Sequence, residues 1–394
     1  AECRAWLEAN ARPREPGAGP DVLALLGTEV DTETALAEAR AWQAKAAADG
    51  WAGIGWPREH GGRGATIMEQ IVFNQEAARF HVPDHVFRIG IDMGGPTVIA
   101  HGTAEQQDRW LRPLLTGEEI WCQLFSEPSA GSDLAALRTT AVRDGDEWVV
   151  NGQKVWSSGA HYSQWGMLLA RTDPDAPKHQ GITYFLLDMS TPGIEVRPLR
   201  QMTGAAHFNE VFFTDVRIPD RDRLGDVNDG WRVAQTTLLN ERAAIVGLLG
   251  DRNAAEPLIE LARKIEEEGR PGTSDPRVRQ ELAQVYVESA ILRYLGMRIV
   301  TAFSRGVLPG PEASVAKLAM GKLLRRTGSL ALDLLGPAGA LYDPVWTGAF
   351  LAAPAVRIAG GSDEVQRTII GDRVLGLPKE PGVPRDTPFR DLPT

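Results

Sequence analysis

Hydrophobic and polar positions recur along this chain with two periods, and the switches between them mark three stretches. Thr32–Ala48 (TETALAEARAWQAKAAA) is rich in Ala, Glu and Lys with no Gly or Pro to break it, which predicts a helix. A turn-rich stretch, Trp51–Gly64, follows, and helical runs are expected from Thr66 to about Phe80 and from Pro96 to His101. From Trp121 the period shortens. Thr139–Arg143 alternates, Asp144-Gly145 turns, and Glu147–Val150 returns. Asn151-Gly152 then reads as a second turn leading into Gln153–Trp156, because type I′ turns need positive φ at both central residues. Gly166–Ala170, Thr183–Asp188, Ile194–Pro198 and Glu210–Asp215 complete a meander of about seven short strands. After Gly230 the helical period returns in Trp231–Gly250, Pro257–Glu268, Val278–Phe303, Glu312–Leu335 and Asp363–Arg373. Helices, then strands, then helices predict α+β with segregated layers, not an alternating parallel sheet. The expected domains are 1–120 helical, 121–228 antiparallel β and 229–377 a helical bundle, followed by a Pro-rich tail, 378–394, lying extended on the surface.

Composition narrows the function. The chain has 394 residues, 43% apolar and 24% charged, which suits an ordered multi-domain protein. Lys and Arg number 42 against 52 Asp and Glu, a net charge of −10 with no basic run, which argues against nucleic acid. Two distant cysteines, Cys3 and Cys122, imply a reducing, cytoplasmic setting with neither disulfide nor zinc site. No apolar run approaches the roughly 18 residues of a membrane span, and no signal peptide is visible. The chain opens on Ala1, so a few residues are expected to precede it. No G-x-G-x-x-G follows a strand, which counts against a Rossmann nucleotide site.

Local constellations could carry chemistry. Gln123–Asp133 collects Ser126, Ser129 and Ser132 with Gly131 in one loop, either a flat ligand's backbone cradle or a capped turn between domains. Trp156-Ser-Ser-Gly159 could stack on an aromatic cofactor or pack a half-buried Trp between sheet and helix. Glu241 shares a three-and-four-residue stripe with Ala234, Leu238, Ile245 and Leu248, while Leu239, Ala243 and Val246 define a competing one. A carboxylate on an apolar face is either paired, with Arg242 or a neighbouring helix, or desolvated toward the pKa of a general base. Finally, Ala359–Glu364 offers glycines with Ser362 as N-cap. Asp363 and Glu364 there would repel a phosphate by about 4 kcal/mol at about 4 Å and an effective dielectric of about 20. Ser362 and Glu364 are therefore expected to meet ribose hydroxyls of a cofactor or simply to cap a helix.

These residues, in this order, resemble the acyl-CoA dehydrogenase family over nearly the whole chain. The markers are Trp56–Gly62 (WPREHGG), Gly102–Gln106 (GTAEQ), Ser126–Asp133 (SEPSAGSD), Asn151–Trp156 (NGQKVW), Glu210–Val216 (EVFFTDV) and Gly360–Arg367 (GGSDEVQR). The resemblance implies an N-terminal helical domain, a middle β domain and a C-terminal four-helix bundle, assembled as a tetramer. It also implies noncovalent FAD, α,β-dehydrogenation of an acyl-CoA thioester in lipid catabolism, and electron-transfer flavoprotein as acceptor. By the family's pattern Phe125, Ser126, Gly131 and Ser132 contact flavin and pyrophosphate, Trp156 and Ser158 lie against the ring system, and Arg242 stands near substrate and base.

Two departures sharpen this. Most members carry the catalytic Glu where this chain has Gly360; a minority, isovaleryl- and long-chain-type enzymes among them, carry it at the position of Glu241, which is therefore the expected base. With no side chain at Gly360, a bulky, branched, long or ring-bearing acyl group is expected. Second, the Gln and Gly-Gly-Asn-Gly loop that reach a neighbour's FAD in homotetrameric relatives correspond here to Asp333–Gly339 (DLLGPAG), and of the family's Arg-x-x-Phe-Gly only Arg270 is matched. One reading is that a related subunit supplies those contacts, so the expected assembly is a homotetramer or a heterotetramer with a related subunit. A flavin oxidase or monooxygenase on the same fold, and a partner subunit completing another chain's site, are the alternatives.

Overall fold

The computed structural model describes residues 1–14, 33–247, 253–305, 312–379, 381–384 and 386–392. In chain order the helices are α1 (Glu2–Asn10), α2 (Glu33–Ala48), α3 (Ile67–Ala77), α4 (Gly95–His101), α5 (Ala104–Thr116), α6 (Gly230–Gly247), α7 (Ala255–Glu267), α8 (Pro276–Ser304), α9 (Glu312–Leu335), α10 (Trp346–Val356) and α11 (Asp363–Arg373). The strands are β1 (Arg12–Pro13), β2 (Phe80–His81), β3 (Trp121–Leu124), β4 (Thr140–Asp144), β5 (Glu147–Lys154), β6 (Trp165–Arg171), β7 (Ile182–Asp188), β8 (Ile194–Leu199), β9 (Phe208–Pro219) and β10 (Arg223–Leu224). The α+β order is as expected. Thr32 and Gly250, at the ends of two expected helices, lie outside the described residues.

By contact the chain forms two compact units. The first gathers residues 29–64, 83–241 and 380–394 around an eight-stranded sheet of order β10-β7-β6-β4-β5-β9-β8, with β3 parallel to β6. A simple meander is thus corrected: β4 also meets β6 in parallel, because both strands flanking the cofactor-loop candidate feed onto β6. β6 is buried along its whole length, and its Leu168 and Ala170 pack with Trp148, Phe185 and Phe213 in the sheet's core.

The expected turn at Asn151-Gly152 is also corrected. β5 runs straight through it, pairing with β9 from Glu147↔Pro219 to Lys154↔Val211, with a register shift between Val150 and Gly152. Gly152 has φ 148°, and a Cβ there would collide with Thr139. Asn151 exchanges side-chain hydrogen bonds with Asp215, accepting from its backbone N–H at 2.9 Å. The Asn-Gly pair therefore builds a β-bulge that re-aims the strand, not a hairpin.

α4 is preceded by a π-helical segment, Ile89–Gly94, and α5, whose periodicity did not single it out, follows it. The Gly102–Gln106 marker has a direct cause: Thr103 and Gln106 form a capping box at the N-terminus of α5, and Gln106 Nε2 donates to the carbonyls of Arg221 and Arg223, both at 2.8 Å. The tail is not merely extended. Phe389 and Arg390 donate backbone hydrogen bonds to Ala176 and Pro174, and the Phe389 ring lies 3.8 Å from the Arg171 guanidinium.

The second unit holds residues 1–28, 65–82 and 242–379. Thr66 and Glu69 cap the start of α3 reciprocally; the helix ends at Ala77, short of the expected Phe80, which pairs with Pro13 in the short β1–β2 ladder. α7, α8, α9 and α10 share one core, including Leu258, Ile265, Val285, Ile299, Leu330 and Ala352. Among the described residues no helix is long and apolar enough to cross a membrane, and both cysteines are free and buried.

Candidate active site

The loop after β3 is held by a buried ion pair. Lys154, at the end of β5, donates to Glu127 Oε1 at 2.8 Å and to the Phe125 carbonyl at 2.9 Å. Glu127 also accepts from the backbone N–H groups of Arg138 (2.6 Å) and Thr139 (2.8 Å). Burial works to raise the Glu127 carboxyl, but the Lys154 charge and these donors outweigh it and hold it below the usual range. Burial pushes the Lys154 ammonium down to about 8 against the pull of Glu127. Glu127 and Ala130 bridge each other, so the segment between them is a tight turn. Beyond it Gly131 and Ser132 are exposed, and space opens where a Cβ of Gly131 would stand. Phe125 is buried and Ser126 half-buried.

Two residues past Lys154, the chain turns through Trp156 at φ 61°, a left-handed conformation that costs a bulky side chain roughly 1–2 kcal/mol. The turn is fastened on both sides. Val155 donates to the Ser126 carbonyl at 2.9 Å, Ser157 to Asn209 at 3.0 Å, and Gly159 to His207 at 2.9 Å. Trp156 is 59% exposed, edge-on to Phe208 with ring centroids 5.7 Å apart. The half-buried packing reading is therefore set aside. A large apolar face held open by strained backbone suits a flat ligand. Ser158 is half-buried, and the adjacent Ser157 Oγ is buried without a hydrogen-bond partner among the described residues.

Among the described side chains of α6, Gly230, Val233, Ala234 and Thr237 are buried, while Leu238 and Leu239, one from each stripe, are both half-buried. Thr237 Oγ1 lies 2.9 Å from Thr97 Oγ1 and 3.2 Å from the Tyr184 hydroxyl. Tyr184 in turn meets the Phe125 ring edge-on at 5.8 Å. Glu241 follows Thr237 by one helical turn on the same face and is half-buried. Arg242 is the next residue of α6; its side chain lies outside the described residues. Phe125, Ser126, Gly131, Ser132, Trp156, Ser158 and Glu241 all belong to the first unit.

Arg270, Ser362 and Glu364 belong to the second. Arg270 donates to the carbonyls of Leu334 (3.3 Å) and Leu335 (3.1 Å) and pairs with Glu268, so it closes the end of α9 beside the exposed Asp333. Ser362 caps α11 by accepting from Val365 at 3.3 Å, and Glu364 pairs with Arg367 at 3.0 Å. Lys317 and Gln366 donate to the Gly361 carbonyl, at 2.6 and 3.1 Å, which ties the glycine loop to its own helices. Sequence reasoning passed over Glu127, Lys154, Tyr184 and Thr237. The only signal for the first pair was that both fall inside the quoted motifs.

With this geometry in place, the chain can be classified. The acyl-CoA dehydrogenase N-terminal, middle and C-terminal domains match residues 22–118, 122–216 and 228–375. The chain belongs to the acyl-CoA dehydrogenase family and is an enzyme, an oxidoreductase of lipid catabolism. It is 40% identical to acyl-CoA dehydrogenase IpdE1 of Mycobacterium tuberculosis over 395 residues, covering 96% of this chain and 97% of that protein. It is 42% identical to acyl-CoA dehydrogenase FadE34 of the same organism over 382 residues, covering 95% of this chain and 52% of that one. Among solved structures it resembles the Tcur3481-Tcur3483 steroid ACAD (TM-score 0.80, 28% identity, 96% of each chain). It also resembles the ChsE4-ChsE5 complex of M. tuberculosis (TM-score 0.76, 31% identity, 96% of each chain).

Proposed function

We propose that this chain carries out FAD-dependent α,β-dehydrogenation of an acyl-CoA thioester to the trans-2-enoyl-CoA, with Glu241 as the base. The observation that carries the reading is the continuous path from the Phe125 ring through Tyr184 and Thr237 to the face of α6 that bears Glu241. It ties the expected flavin loop and the expected base to one rigid network. The residues at the ring end fit a flavin: Trp156 offers an exposed aromatic face, the Gly131 side of the loop is open, and the Ser157 hydroxyl lacks a partner among the described residues. When bound, the flavin would supply the acceptor for the substrate β-hydrogen as hydride. The chain's own part is to take the α-proton on the Glu241 carboxylate as the C=C bond forms, with Arg242 beside it. Trp156 and Ser158 would position the ring, and Phe125, Ser126, Gly131 and Ser132 would line the flavin and pyrophosphate. Electron-transfer flavoprotein would then receive the electron pair.

Gly360 brings no carboxylate where most of the family carries the base, which supports Glu241, and its missing side chain favours a bulky ring-bearing acyl group. The steroid ACAD among the structural relatives points the same way. Anaerobic mixing of Glu241→Gln with acyl-CoA tests the base: flavin bleaching should fall by about a thousandfold or more. Bleaching at the normal rate would overturn the assignment.

Assembly with a related subunit is part of the same reading. Asp333 would face a cofactor pyrophosphate unfavourably, and Arg270, Ser362 and Glu364 are already engaged within their own unit. α8 exposes Tyr286, Val287, Ile291, Tyr294 and Met297 as an apolar stripe suited to another subunit. The resemblance to the ChsE4-ChsE5 complex supports a heteromer. One FAD per chain in a homo-oligomer of this protein alone would exclude it.

A further inference from the structure

The segment that follows the cofactor-loop candidate is held by one buried arginine. Arg171, at the end of β6, is 3% exposed, and its guanidinium donates to the carbonyls of Ala135 (2.6 Å), Leu137 (3.4 Å) and Lys178 (2.7 Å). Those contacts fasten the short 3-10 turn Leu134–Ala136, which starts just beyond Ser132 and Asp133. The Arg171 Nε is buried without a hydrogen-bond partner among the described residues. The ring of Phe389, from the tail, lies over this guanidinium at 3.8 Å and stands 5.7 Å from that of Arg138, which follows the same turn.

A second connection runs through the 173–181 loop. Phe389 and Arg390 donate backbone hydrogen bonds to Ala176 (2.9 Å) and Pro174 (3.0 Å), and Pro388 bridges Pro177. The loop closes at its base, where Thr172 and Asp173 both donate to the Gly181 carbonyl, at 2.9 and 3.2 Å. From this loop Lys178 reaches Asp133, donating to both carboxylate oxygens at 2.8 Å. Both connections thus run from the tail to residues 133–137, immediately past Gly131 and Ser132. Every residue in them belongs to the first unit.

The two connections differ in strength. Lys178 and Asp133 are 30% and 58% exposed, so water and salt screen their attraction and the pair contributes little. Arg171 is desolvated, so its charge-assisted hydrogen bonds to carbonyls count for more while water is kept away. The half-buried Phe389 ring is the group lying over it. Upstream, the Lys154–Glu127 pair fixes the start of the cofactor loop; downstream, Arg171 fixes its end. Gly131 and Ser132 between them are exposed, so their order depends on these two anchors. A loop that holds its binding-competent shape for only a fraction of the time binds its ligand more weakly by that fraction.

Building on the dehydrogenase reading, we propose that Phe389 is a positioning residue for the cofactor. It keeps Arg171 on the Ala135 and Leu137 carbonyls and so fixes the end of the loop whose Gly131 and Ser132 line the pyrophosphate. Hydrogen–deuterium exchange of residues 129–138 in the intact, cofactor-free protein, followed by titration with FAD, tests it. In Phe389→Ala, exchange over 129–138 should speed up about fivefold or more, and FAD should bind roughly five- to twentyfold more weakly. Phe389→Tyr keeps an aromatic face over the guanidinium and should restore both. Asp220→Asn, at least as destabilising but placed at the sheet's edge, should leave both unchanged. Exchange or affinity unmoved by Phe389→Ala would overturn the proposal, and so would equal changes in Asp220→Asn, the mark of general destabilisation. If the unaltered protein takes up no FAD, the dehydrogenase reading falls and this proposal with it; uptake insensitive to Phe389 removes this proposal alone.

Discussion

The Lys154 ammonium donates to the Glu127 carboxylate at 2.8 Å with both side chains out of solvent, and the pair joins the end of β5 to the loop carrying Phe125 and Ser126. Because the same strand continues into Trp156, one buried contact sets the spacing of both candidate flavin surfaces. Lys154→Met leaves a buried carboxylate unpaired and should cost about 3–5 kcal/mol of unfolding free energy. The double variant with Glu127→Gln should recover much of that loss. Chemical denaturation of the two proteins checks this.

Trp156 should separate folding from cofactor binding. Trp156→Gly relieves a positive φ and removes an exposed side chain, so denaturation midpoints should hold or rise. FAD affinity should fall several-fold, in line with about 0.5–1.5 kcal/mol for an aromatic pair. Fluorescence titration of the stripped protein with FAD measures the second effect.

Phe389 anchors the tail on Arg171, whose own pKa burial pushes down to about 10. Phe389→Ala should cost about 1 kcal/mol and make the chain after residue 380 more sensitive to limited proteolysis. An unchanged cleavage rate would show that the tail's other contacts, the two backbone hydrogen bonds and the Arg390–Asp175 ion pair among them, suffice to hold it.

Asp220 ties the sheet's edge through acid-sensitive contacts. It accepts from Trp148 Nε1 at 2.7 Å and from Arg223 Nε at 2.9 Å, and the Arg223 hydrogen bond leads in lowering its pKa to about 2. A carboxyl depressed in the folded state stabilises above its unfolded value, near 4, and loses that contribution as pH falls toward 2. Asp220→Asn should therefore remove about 1–2 kcal/mol at neutral pH and flatten this part of the acid limb. Stability curves between pH 2 and 6 test it.

Much of this protein was legible in its residues. The helix–sheet–helix order followed from the change of hydrophobic period, and α11 matched its expected bounds because Ser362 caps it locally. The family markers pointed to the same loop and turn that the structure places in one unit. Some markers also have local causes, as the Thr103–Gln106 capping box shows.

Other features depend on residues distant in the chain. Asn151-Gly152 carries a strong local turn signal, yet pairing with β9 and the close approach of Thr139 turn it into a bulge. The π-helical segment at Ile89–Gly94 has no sequence period of its own; its glycines fit because Leu114 and Trp121 press against them. The Lys154–Glu127 pair joins positions 27 apart, and only the folded sheet excludes water from both. On the helix bearing Glu241, the hydroxyls of Thr97 and Tyr184 hold Thr237, a position that neither apolar stripe of the sequence includes. Local periodicity determined which elements form, because backbone preference and capping act within a few residues. Which faces are buried, and what chemistry they can hold, was decided by tertiary contacts alone, because desolvation is set by whatever packs on top.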